Sequence, residues 1–69
     1  MGEHRFEVWQ DGLMVAQTSS ADRHQAASSA LHYARVYAQD GPVEVFEGPK
    51  KRGRLFATTQ PLRQGDSDG

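Results

Sequence analysis

Alternating apolar and polar residues at the start of the chain predict a β-hairpin. "HRFEVWQ" at 4–10 and "LMVAQT" at 13–18 alternate with a period of two, which is typical of strands that bury one face. Asp11 and Gly12 lie between the two runs and tolerate the positive φ of a type I′ turn. The sequence therefore predicts two antiparallel strands joined by a two-residue turn.

The register set by that turn assigns each side chain of the hairpin to one face. Trp9 pairs with Met14, and each step away from the turn adds one residue on both strands. One face then carries four apolar residues that we expect beneath a helix: Phe6, Val8, Leu13 and Val15. The opposite face carries Arg5, Glu7, Trp9, Met14, Ala16 and Thr18. Two large apolar side chains are thus expected on the face that lacks a helix.

The middle of the chain has the periodicity of an amphipathic helix. Ser19 and Asp22 have the spacing of a capping box, which predicts a helix that begins near residue 20. Gly41 and Pro42 predict its end. Its apolar face is rich in alanine and comprises Ala26, Ala27, Ala30, Leu31, Ala34, Tyr37 and Ala38. Such small side chains allow the helix to pack closely on a sheet.

Two later apolar runs, "VEVFE" and "RLFATT", predict a second strand pair around the loop "GPKKRG", with the register left open. The order ββαββ with a right-handed crossover predicts an α+β fold, in which a four-stranded antiparallel sheet of order 2-1-3-4 carries one helix on one face. We expect a single domain at 1–59. The polar segment "QPLRQGDSDG" at 60–69 is expected to be a disordered tail.

The layout resembles a group of small bacterial β-hairpin, helix, β-hairpin domains of unknown function. Three segments carry the resemblance: "QDGLMV", "TSSADRHQAASSALHYA" and "KKRGR". It covers about residues 4–59 and implies the ββαββ fold. It implies no activity.

Composition narrows the possible functions. A chain of 69 residues buries only about 60% of its unfolded surface, so association with a partner would add stability. The absence of cysteine excludes disulfides and thiolate zinc sites and fits a cytoplasmic location. No apolar run approaches the ~20 residues of a membrane span, so no membrane partner is expected. Frequent arginine and alanine, with no asparagine or isoleucine, suggest a bacterial genome.

The sequence offers little evidence for a catalytic site. His24, Ser28 and His32 share one polar stripe of the helix. The two histidines are separated by ~12 Å along the axis, too far for one metal ion to bridge them. A pair of Ser28 and His24 has no orienting acid and lies in no inferable cleft. We therefore expect no enzyme activity, no metal and no cofactor.

A basic turn offers a nucleic-acid alternative. Lys50, Lys51, Arg52 and Arg54 place four positive charges in one hairpin turn, which could contact phosphates. The remaining residues carry four bases against nine acids, and the whole chain has a net charge of -1. This balance differs from the basic footprint of a dedicated nucleic-acid binder. Nucleic-acid binding is therefore the second hypothesis.

The first hypothesis is a protein interface on the face without a helix. Aromatic residues and methionine are enriched at the centres of interfaces. The candidate interface comprises Trp9, Met14, Ala16, Phe46 and Phe56. The two phenylalanines are included because each is next in sequence to a valine or leucine, and successive residues of a strand point to opposite faces. We expect a non-catalytic interaction domain whose partner is a second copy or another protein.

Overall fold

The structure, a computed structural model, describes residues 2–59. Two hairpins flank one helix, in the order β1 His4–Gln10, β2 Leu13–Ser20, α1 Arg23–Tyr37, β3 Val43–Glu47 and β4 Arg54–Thr59. A short 3-10 turn, Ala38–Asp40, follows α1 directly. The tail expected at 60–69 lies outside the described residues.

The four strands form one antiparallel sheet in the order β2-β1-β3-β4. The helix crosses one face of this sheet and packs mainly on β1 and β2. The predicted α+β fold, its strand order and its single helix are confirmed. One face of the sheet is covered by α1, while α1 leaves the opposite face bare.

The first turn matches its sequence signature. Asp11 has φ 55° and Gly12 has φ 77°, the positive values that a type I′ turn requires. Trp9 pairs with Met14 as predicted. The turn therefore fixes the register of the residues closest to it.

A β-bulge changes the register further along the first hairpin. Val8 pairs with Ala16 instead of the expected Val15, and Phe6 pairs with Thr18. Directly opposed residues share a face, so Ala16 and Thr18 lie on the helix side, and the prediction that put them on the bare face is wrong. The Thr18 hydroxyl donates to the Ala26 carbonyl at 2.9 Å and so ties β2 to α1. Because of the bulge, the small side chain of Ala16 and the hydrogen-bonded hydroxyl of Thr18 lie beneath the helix.

The core lies between the alanine-rich face of α1 and the central strands. Its buried residues are Phe6, Val8, Ala26, Ala27, Ala30, Ala34, Ala38, Val43 and Val45. The predicted alanine face is confirmed, with Leu31 and Tyr37 partly buried at its border. Leu13 was expected in this core but is 67% exposed. It pairs with Gln10, whose amide donates to the Tyr37 and Gly41 carbonyls at the C-terminal end of the helix.

The helix begins later than the capping-box spacing suggested. Asp22 is the N-cap, and its carboxylate accepts from the backbone N–H of His24 at 2.9 Å and of Gln25 at 3.4 Å. Ser20 still belongs to β2, and its hydroxyl oxygen accepts from the Asp22 N–H at 3.1 Å. The cap is therefore a single aspartate rather than a reciprocal pair of side chains.

A second bulge lies between β3 and β4. Val45 pairs with Ala57, but Phe46 pairs with Leu55, so Phe56 is the additional residue. Phe56 packs edge-on against Phe6, with ring centroids 5.0 Å apart, and belongs to the helix side. This bulge changes which aromatic residue is available on the bare face.

Candidate functional site

The sheet surface opposite α1 is called the helix-free face. The register places ten side chains on it: Arg5, Glu7, Trp9, Met14, Gln17, Ser19, Glu44, Phe46, Leu55 and Thr58. The apolar side chains form a row across the sheet, from Met14 on the edge strand β2 through Trp9 and Phe46 on the central strands to Leu55 on the edge strand β4. Glu7 and Glu44 lie beside this row on the central strands. Met14 and Leu55 are 45% and 52% exposed, and each lies directly opposite an aromatic residue of the face.

Three of the five predicted interface residues lie together on this face: Trp9, Met14 and Phe46. The predicted positions of Ala16 and Phe56 are wrong, because the two bulges turn both residues to the core. Leu55 takes the place expected for Phe56, opposite Phe46. The strand alternation contained no signal for either bulge.

Among residues 2–59, Glu7 is the most buried charged residue, being only 5% exposed, and it organises the face. Its Oε1 accepts from the Trp9 indole N–H at 3.0 Å and from the Lys50 backbone N–H at 3.1 Å. Arg5 Nη2 lies 3.6 Å from Glu7 Oε2 and balances its charge. A buried carboxylate with these partners orients the indole and anchors the following loop. The sequence predicted that Glu7 and Trp9 share a face, but it did not predict the contact of Glu7 with the loop.

The segment 48–53, here called the basic loop, folds back toward the helix-free face. Lys50 Nζ lies 4.6 Å from the Trp9 ring centroid and 5.7 Å from that of Phe46, which gives two cation–π contacts. A Cβ at Gly53 would collide with the Glu47 carbonyl oxygen, so the loop needs glycine there. The sequence offered this loop as a possible phosphate contact, and the structure places its first lysine over two aromatic rings.

A cleft of about 540 Å³ lies between the first hairpin and the basic loop. It is lined by Glu7, Trp9, Met14, Pro49, Lys50 and Lys51, and we call it the cationic cleft. The carboxylate of Glu7 is engaged with Arg5, so the two lysines determine the charge of its rim. Its floor is apolar.

A second cleft of about 320 Å³ shares Trp9 and is lined also by Asp11, Pro42, Val43, Glu44, Thr58 and Thr59. We call it the acidic cleft, because its charged residues are Asp11 and Glu44. Neither acid had been singled out as an interface residue from the sequence. Across the sheet, Met14 is the partner of Trp9 on β2 and Glu44 is its partner on β3. Trp9 therefore borders both clefts.

The four basic residues of the predicted nucleic-acid site do not share one surface. Lys50 and Lys51 line the cationic cleft. Arg54 lies opposite Glu47 in the pairing of β4 with β3, and so on the helix side of the sheet. Arg52 is exposed in the basic loop and closes it through a backbone hydrogen bond to the Pro49 carbonyl at 3.0 Å. Basic residues that are close in sequence therefore lie on different sides of the sheet.

An ion pair on the helix side fixes the start of α1. Arg23 donates to both carboxylate oxygens of Glu47, at 2.8 and 2.9 Å, with its guanidinium over the rings of Phe6 and Phe56. The hydrogen bond from Arg23 lowers the pKa of Glu47, and the same contact raises the pKa of Arg23. This pair belongs to the packing of the helix on the sheet.

The polar residues on the exposed side of α1 do not form a site among the residues that the structure describes. His24, Ser28 and His32 are exposed, and His32 packs edge-on against Tyr33 with centroids 5.7 Å apart. Within residues 2–59, no three histidine or acidic side chains are grouped so that they could hold a metal ion. The helix in this part of the chain is too short and too polar to cross a membrane.

No protein-family model matches the chain, and comparisons with curated proteins and with solved structures also return no match. Functional inference therefore rests on the geometry of the helix-free face.

Proposed function

We propose that this protein is a small non-catalytic interaction domain that forms a homodimer through the helix-free face. The observation that carries the proposal is the exposed apolar group on that face. Met14 and Leu55 are about half exposed, and Trp9 and Phe46 are partly covered. Aromatic residues and methionine are enriched at protein interfaces, and here they form one row across the sheet.

The two-layer fold supports this proposal. Phe6 and Val8 are buried by the helix on one side of β1, whereas Trp9 on the same strand is covered in part by the Lys50 side chain and not by a second layer of secondary structure. Sheets commonly pack face to face at a separation of about 10 Å, so a second sheet could cover the apolar group. Burial of this kind is valuable to a 69-residue chain, whose own core is small. A cysteine-free chain is compatible with the cytoplasmic location that we propose for it.

A single-stranded nucleic acid is the second candidate occupant. Trp9 and Phe46 on a sheet surface, with Lys50 and Lys51 beside them, combine aromatic rings and cations as in stacking platforms for unpaired bases. The acid Glu44 beside Trp9 and the net charge of -1 weigh against it. Titration of a fluorescent single strand at low salt tests this candidate. Affinity that falls steeply with added salt would favour it over the dimer.

Sedimentation equilibrium at micromolar concentrations tests the homodimer. The unsubstituted chain should have twice the 7.6 kDa mass of one copy. Met14→Lys should dissociate it by placing a cation from each copy in the interface, and Trp9→Ser should weaken it by removing the largest apolar group. Val36→Lys is the matched control, because Val36 is 50% exposed on the helix. A monomer at high micromolar concentration, or equal dissociation by the control, would contradict the proposal.

A further inference from the structure

Trp9 lies between two clefts of opposite charge. Lys50 and Lys51 line the cationic cleft, and Asp11 and Glu44 line the acidic cleft. The indole is the residue common to both linings. The helix-free face therefore has a positive side, an apolar centre and a negative side.

This charge order makes the face complementary to itself in one orientation. In an isologous contact, residue i of one copy meets residue j of the other, and j meets i in return. Consider a two-fold axis that runs between the two sheets beside Trp9, at right angles to the line joining the clefts. Rotation about it places each cationic cleft over the partner's acidic cleft. A two-fold axis along that line would instead place like charges over each other.

We infer that two copies dock in the first of these orientations, with Lys50 and Lys51 of each copy facing Asp11 and Glu44 of the other around a centre formed by the two Trp9 rings. This inference rests on the proposed homodimer and adds its orientation and the basis of its specificity. Opposite charges across an interface select the register, while like charges in the alternative register exclude it. The apolar centre supplies contact area in either orientation, so the charges distinguish them.

Reciprocal charge reversal tests this orientation. In a homodimer of Lys51→Glu, the new glutamate of each copy faces Glu44 of the other copy, which makes two repulsive contacts. In a homodimer of Glu44→Lys, the new lysine of each copy faces Lys51 of the other copy, with the same result. Each single variant should have a dissociation constant raised about tenfold or more. Mixing the two variants should restore association as a heterodimer, because both contacts are then attractive. One chain carrying both substitutions should also self-associate like the unsubstituted protein.

Arg35→Glu is the control, because it changes the net charge by the same amount as Lys51→Glu but lies on the exposed side of α1. Its dissociation constant should remain that of the unsubstituted chain. Restoration in the mixture also shows that both single variants are folded. A dimer that forms but tolerates both reversals, or a mixture that does not associate, would overturn the orientation and leave the homodimer intact. An unsubstituted chain that stays monomeric would overturn the homodimer itself.

Discussion

The two faces of the sheet differ in how their side chains are satisfied. On the helix side, Phe6 and Val45 are buried against alanines, and the hydroxyl of Thr18 meets a helix carbonyl. On the helix-free face, Glu7 is the buried residue, and apolar side chains as large as Leu55 stay exposed. The first face is completed within the chain. On the second face, Glu7 is paired and the largest apolar groups are left uncovered, as the proposed interface requires.

This contrast implies two classes of substitution. Changes on the helix side should alter the free energy of unfolding, and changes at the apolar centre of the helix-free face should alter association. Because association itself adds to apparent stability, unfolding is compared at one fixed, dilute protein concentration.

The largest effect is expected for Phe6→Ala. Phe6 is fully buried and packs on Phe56, so its truncation should lower the free energy of unfolding by about 3–5 kcal/mol. Leu13→Ala is the matched control, since Leu13 points to solvent despite its apolar alternation, and should change stability by no more than about 0.5 kcal/mol. Urea unfolding measures both. Equal losses would mean that Leu13 is part of the core after all.

Ala30→Leu tests the close approach of helix and sheet. Ala30 is buried, and three additional carbon atoms there should overpack the contact, at a cost of typically 1–3 kcal/mol. Ser29→Leu adds a larger apolar side chain at an exposed helix position and should be nearly neutral. A shift in the urea midpoint that is the same for both variants would contradict docking through the alanine face.

Glu7→Gln should have a smaller effect, on the helix-free face. The amide oxygen still accepts from Trp9 and Lys50, but both bonds lose their charged acceptor and Arg5 loses its ion pair, for a cost of about 1 kcal/mol. Glu44→Gln, at an exposed position beside Trp9, should leave unfolding unchanged at dilute concentration. Urea titration followed by Trp9 emission measures both. Identical midpoints would show that Glu7 does not anchor the basic loop.

The smallest effect is a pH dependence from Glu47. Arg23 lowers the pKa of this carboxylate in the folded state, so the pair stabilises the fold above the ordinary carboxyl pKa. That stabilisation is lost as the pH falls through the lowered, folded-state pKa. Arg23→Gln should therefore reduce the loss of stability between about pH 7 and about pH 3. Urea midpoints at both pH values check it, and an equal loss in both chains would exclude this pair as a cause.

Much of the fold could be predicted from local patterns, because each element has a local cause. The Asp11-Gly12 turn fixes the pairing of Trp9 with Met14, and the alanine spacing identifies the buried face of α1. The bulges could not be predicted in this way. Strict alternation in the first hairpin would have placed Gln17 beneath the helix, whereas the bulge turns it out and brings Thr18 in. That choice depends on packing against α1, which lies elsewhere in the sequence.

The candidate site shows the same division. Parity identified Trp9, Met14 and Phe46 as members of one face, because Trp9 and Met14 lie on the turn side of the first bulge and the pairing of β1 with β3 is regular. The anchoring of the basic loop by Glu7 joins residues 43 positions apart. No local pattern reports such a contact, so the two oppositely charged clefts became apparent only when the sheet and the loop were assembled.

Trp9 is the only tryptophan in the chain, so its fluorescence reports directly on the helix-free face. The most direct test of the homodimer is acrylamide quenching of Trp9 across a dilution series, measured beside the mass from sedimentation. We predict that quenching falls as concentration rises, with the same midpoint as the doubling of mass, and that Met14→Lys removes both changes. A doubling of mass without any change in quenching would contradict the account, because the second copy would then cover a different surface.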